Sequence, residues 1–89
     1  MRRVHNKISL ERFFEVGGIC WIQYHSGKVG ETSKIAYPET VEEFNSIMAE
    51  ASFQCNRFYW NGWEYRPDVK VNDKGICEFY YLTATTKLQ

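Results

Sequence analysis

The side chains in this sequence with the chemistry for covalent catalysis are Cys20, His25, Ser26 and His5. A cysteine nucleophile needs its base within hydrogen-bond reach. Cys20 and His25 lie on or just past one apolar run, Ile19 to Tyr24, and an odd separation along a strand sends two side chains to opposite faces. The pattern therefore reads as a packed thiol and a surface histidine, and we assign no catalytic residue. The three cysteines, Cys20, Cys55 and Cys77, stand far apart with no paired spacing. Structural zinc sites announce themselves with close ligand pairs, so neither a metal, a cofactor nor a disulfide framework is expected. Cysteines used this way point to a reducing, cytoplasmic setting.

The segment His25-Ser26-Gly27-Lys28-Val29-Gly30-Glu31-Thr32 carries the glycines and lysine of a phosphate cradle, but in the wrong order. A P-loop requires Gly-Lys followed by Ser or Thr, between a strand and a helix. Here Val29 follows Lys28, and another strand pattern comes next. The segment reads as a hairpin loop, with Lys28 a secondary binding candidate because loops carry contacts.

The departure from ordinary composition is aromatic: 6 Phe, 6 Tyr and 3 Trp make 17% of 89 residues. Many of these are needed to cover a helix, so the informative residues are those left over on the other side of the sheet. Alternation assigns Tyr59, Tyr80, Ile76 and Leu82 to that side, beside Arg57, Arg66 and Lys70 and the acids Glu64, Asp68 and Glu78. Tyrosine and arginine supply contact area at low entropic cost and are enriched in interface anchors. The expected partner-binding residues are Arg57, Tyr59, Arg66 and Tyr80.

Charge decides between two kinds of partner. Lys plus Arg total 11, Asp plus Glu total 11, and the net charge is zero. A nucleic-acid groove should be net positive, whereas the cations and acids of this face balance. A protein partner is the better expectation, and the chain reads as a non-enzymatic binding module, a small accessory or inhibitory protein. The alternative is single-stranded nucleic-acid binding by the same tyrosines, aided by the basic start Arg2, Arg3 and Lys7. The acids Glu39, Glu42, Glu43 and Glu50 give the outer side of the main helix the opposite character, as a solvated face or a dock for a basic partner.

These residues must be positioned by a small scaffold. Eighty-nine residues suit one domain. The N-terminus lacks an apolar signal core and no stretch approaches a membrane span, so no membrane partner is expected. Thr40 and Glu43 have capping-box spacing, and Val41, Phe44, Ile47, Met48 and Ala51 share one side of a helix predicted over about 41–53. Asn61-Gly62 between aromatic runs predicts a type I′ turn, which pairs Trp60 with Trp63 and Phe58 with Tyr65. A three-residue loop at Asp73-Lys74-Gly75 pairs Asn72 with Ile76, Val71 with Cys77, Lys70 with Glu78 and Val69 with Phe79.

Carried through the shared strand, these registers give a three-strand meander with Phe58, Trp60, Trp63, Tyr65, Val69, Val71, Cys77, Phe79 and Tyr81 toward the helix. Pro67 lacks a donor and is the place where a bulge or break would flip the second hairpin. Residues 19–24 and 34–37 read as paired strands, residues 9–16 as either a short helix stopped by Gly17-Gly18 or a strand, and the polar end from Thr83 as a fraying tail. The expected fold class is α+β, an antiparallel sheet packed on one side by the helix, whose exposed edge could also mediate homo-oligomerisation.

Overall fold

The computed structural model describes residues 7–71, 73–75 and 77–88, and the side chains of 69–71 and 77–80 fall outside that description. Along the chain run β1 (Lys7–Ser9), α1 (Leu10–Glu15), β2 (Ile19–His25), β3 (Lys34–Ala36), α2 (Val41–Glu50), β4 (Phe53–Trp60), β5 (Trp63–Val71) and β6 (Cys77–Lys87). The strands form one antiparallel sheet in the order β1-β6-β5-β4-β2-β3. The fold is α+β, as the sequence led us to expect.

The ambiguity at residues 9–16 resolves as a helix. Ser9 caps α1 by accepting the Arg12 N–H at 3.1 Å, and the far end closes with Gly17 and Gly18 donating to the Phe14 and Phe13 carbonyls. α2 opens as predicted, with Thr40 Oγ1 accepting the Glu43 N–H at 3.1 Å while the Glu43 carboxylate accepts the Glu39 N–H. It ends at Glu50 rather than near residue 53, because Phe53 already belongs to β4. There, pairing with β2 from Phe53↔His25 onward claims the backbone groups that another helical turn would use.

Both helices pack on the same face of the sheet. Between them and the strands lie Leu10, Phe13, Cys20, Ile22, Tyr24, Phe44, Phe58, Tyr65 and Leu82. Phe13 is the hub, its ring edge-on to Phe58 and to Tyr65 at 5.8 Å each. Each phenyl group removed from water in this way contributes about 1.5–3 kcal/mol.

The registers of both predicted hairpins hold on the backbone: Trp60↔Trp63, Phe58↔Tyr65, Val69↔Phe79, Lys70↔Glu78 and Val71↔Cys77 are all paired. Asn61 at φ 53° and Gly62 at φ 81° supply the two left-handed residues of the type I′ turn. The expected Asn72–Ile76 pairing lies outside the described residues.

Two expectations fail in β6. The polar tail is not frayed: β6 pairs with β5 as far as Trp63↔Lys87, and the Leu88 N–H donates to the Gly62 carbonyl at 2.7 Å. The faces expected for Tyr81 and Leu82 are also exchanged, since Leu82 is fully buried and Tyr81 is 47% exposed. The cause is the register shift between Asp68 and Val69, which leaves Tyr80 as an extra residue opposite β5; a second shift, at Thr85, restores the parity further along. The extra Tyr80 inverts the alternation, so Leu82 comes to face Pro67 on the core side.

Candidate protein-binding face

The sheet face away from the helices is built mainly by β2 and β4. Their register places Ile19 beside Tyr59, Trp21 beside Arg57, Gln23 beside Cys55 and His25 beside Phe53, all on the side opposite the buried Cys20, Ile22 and Phe58. β3 adds Ile35 next to Gln23, and the chain leaving β3 brings Tyr37 over the same surface.

Ile19, Trp21, Tyr37, Arg57 and Tyr59 surround a shallow cleft of about 260 Å³. Large apolar side chains are exposed around it: Ile19 and Ile35 at 56%, Phe53 at 61% and Tyr37 at 62%. Single exposed apolar residues are ordinary, whereas several on one continuous face mark an interaction surface. Phe53 is further fixed by stacking on His25, with ring centroids 4.9 Å apart.

The guanidinium of Arg57 stands at the cleft with its Nη1 3.5 Å from Glu64 Oε2. Cys55, Tyr59 and Glu64, in that order, hold it above its already high ordinary value, so it is a permanent cation. Lys7 pairs with Asp68 at 3.5 Å and lies 5.7 Å from the Tyr81 ring centroid. Arg66 is exposed on the same face, beside Thr83, with no ion-pair partner among the described residues.

Of the four residues picked from the sequence, Arg57 and Tyr59 meet at the cleft, and Arg66 shares its face on β5 without lining it. The side chain of Tyr80 lies outside the described residues, as do Arg2, Arg3 and Ile76. Leu82, expected on this face, belongs to the core. The sequence reading missed Ile19, Trp21, Ile35 and Tyr37. A signal for two of them was present in β2, where Ile19 and Trp21 alternate with Cys20, Ile22 and Tyr24. A strand apolar on both sides must bury or use both, and here only one set is buried.

Cys20 and His25 are on opposite faces of β2. Burial of Cys20 pushes its thiol up to about 12, away from the thiolate that a nucleophile requires. Lys28 sits in a loop drawn together by Glu31, whose carboxylate accepts from the Ser26 N–H and hydroxyl. Among the described residues, no group of three or more His, Cys, Asp or Glu side chains is placed to hold a metal ion, and no helix is long and apolar enough to cross a membrane.

No protein-family model matches the chain, and comparison with curated proteins and with solved structures finds no match.

Proposed function

We propose that this protein is a non-enzymatic binding module, accessory or inhibitory in character, that captures a partner protein on the open face of its sheet. The observation carrying the proposal is the cleft at which Trp21, Tyr37, Tyr59 and Ile19 surround one permanent cation, Arg57. Rigid aromatic area around a bidentate donor is the composition of an interface anchor. Strands hold Ile19, Trp21, Arg57 and Tyr59, so little entropy is lost when a partner covers them.

Electrostatics supports a protein over a nucleic acid. Two of the cations on this face, Arg57 and Lys7, already have carboxylate partners, which leaves Arg66 as the exposed cation without one among the described residues. Phosphate binding draws on several uncompensated cations at once.

The test is affinity capture from cell extract with the wild-type chain and with a Trp21→Ala/Tyr59→Ala variant, each with and without nuclease. The proposal requires a nuclease-resistant protein partner that the wild type retains and the variant loses, with the variant's circular dichroism unchanged. Retention by the variant, or loss of all captured material on nuclease treatment, overturns it.

A further inference from the structure

The opposite side of the molecule has a second surface with a different chemistry. It starts from the seam between β4 and β5. Trp60 and Trp63 flank a two-residue turn and are therefore a hydrogen-bonded pair, so every second residue of β4 back from Trp60 directs its N–H and C=O toward β5. These residues are Phe58, Asn56 and Gln54. The ladder serves Phe58 through Tyr65 and, among the described residues, stops there. The next partner would be Pro67, which has no N–H to give the Asn56 carbonyl.

β4 thus carries an open internal edge at Asn56 and Gln54. The side chains repeat the pattern: Asn56 Nδ2 donates to Gln54 Oε1 at 2.6 Å, while Asn56 Oδ1 is buried with no hydrogen-bond partner among the described residues. The end of the ladder and the unpartnered amide oxygen fall at one place, and hydrogen-bonding capacity left open in this way is costly unless something fills it.

Above this edge, Gln54 reaches the floor of an open groove of about 1020 Å³ between α1 and α2. Leu10, Phe14, Val41, Phe44 and Met48 make the groove apolar, and its charged side chains are all carboxylates: Glu11, Glu15, Glu39 and Glu42. Arg12 offsets Glu15 at 3.2 Å, but Glu11 and Glu42 have no ion-pair partner among the described residues.

We propose that this edge and groove accept an extended segment of a partner protein, added as a strand alongside β4, with groove-facing side chains that are apolar in the middle and cationic at the ends. An incoming strand supplies backbone donors and acceptors to Asn56 and Gln54, and its alternate side chains meet the apolar floor and the carboxylates. No contact of the open-face cleft is used, so the two surfaces fail independently.

The probe is acetyl-Lys-Thr-Val-Thr-Leu-Thr-Lys-amide, titrated into the full chain at low salt and followed by titration calorimetry and by amide hydrogen exchange. The expected result is saturable binding that slows exchange at Asn56 and Gln54. Replacing both lysines by glutamate, or N-methylating the peptide on its pairing edge, should remove binding. A Glu11→Gln/Glu42→Gln variant keeps its thermal midpoint and binds the probe about tenfold more weakly, since both exposed partners are lost. Trp21→Ala binds the probe as wild type does. Equal binding of the N-methylated or acidic peptide, or no change in exchange at Asn56 and Gln54, overturns the proposal. So does protection of these amides that rises with protein concentration alone, which would make a second copy the occupant.

Discussion

Pro67 is paired with Leu82 on β6 and, among the described residues, with none on β4. A proline is tolerated in a sheet only where its missing donor is not called on, and this asymmetry is how β5 accommodates one. The residues of β5 that turn their backbone groups toward β6 are the even ones, as the Leu88 N–H bond to the Gly62 carbonyl and the Thr85 hydroxyl bond to the Glu64 carbonyl show. Pro67 is odd, so its nitrogen faces the abandoned seam. Replacing it with valine restores a donor there, and the expected outcome is slower amide exchange at Asn56 together with weaker binding of the cationic probe peptide. If neither changes, something other than the missing N–H opens the seam.

Gly18 lies against the Phe13 ring so closely that a Cβ on it would stand 2.5 Å from ring carbons. Phe13 is fully buried and held by Phe58 and Tyr65, so it has no room to withdraw. Gly18→Ala should therefore cost about 1–3 kcal/mol, the usual penalty of overpacking. Urea unfolding measures it directly, and a cost near zero would mean that the hub is looser than its ring contacts indicate.

Phe58 is the strand-side counterpart of that hub, touching Phe13 and also Phe44 of α2 at 6.1 Å. Phe58→Ala removes contacts with both helices at once, and a loss of about 3–5 kcal/mol is expected for a cavity of this kind. The same unfolding measurement reads it. A change under about 1 kcal/mol would contradict its central place in the core.

Stability should fall on the alkaline side for an identifiable reason. Cys20 ionises near 9.0 when unfolded but is raised by burial to about 12 in the fold, and burial also raises Tyr65 above 10.0. The native state favours the protonated forms, so their contribution is complete below pH 9 and is lost as pH climbs toward 12. Cys20→Ala should flatten this part of the stability profile. Iodoacetamide at neutral pH should modify the exposed Cys55 and spare Cys20.

The loop after β2 should respond to acid instead. Hydrogen bonds from the Ser26 hydroxyl and N–H, then the charges of Lys34 and Lys28, hold the Glu31 carboxyl below its ordinary 4.5. That tether is complete above pH 4.5 and is lost as pH falls through the lower folded value. The Ser26 amide should shift and exchange faster over that range in solution NMR. Glu31→Gln should show the loosened state already at neutral pH.

Much of the scaffold was legible because short-range rules fix it. Asn61-Gly62 dictated a turn, the turn dictated a register, and Thr40 with Glu43 dictated where α2 starts. The face assignments near the C-terminus were not legible, because parity carried along β6 is only as good as the assumption that no residue is extra. Pro67 signalled trouble, but the shifts fall at Tyr80 and Thr85, whose types announce nothing. Arg57 and Tyr59 were found because they share a strand with the legible turn. Trp21 and Tyr37 were not, because their place beside Arg57 and Tyr59 depends on β2 pairing with a strand more than thirty residues away.

The short β4–β5 ladder has a mechanical side. Among the described residues, three residue pairs are the backbone pairing that joins the half built from β3, β2 and β4 to the half built from β5, β6 and β1. Twisting one half against the other strains fewer hydrogen bonds than bending within the long β5–β6 or β2–β4 ladders. An occupant wedged beside β4 therefore acts as a lever on the tilt of the whole sheet, and the aromatic cleft on the far side rides on one of its arms.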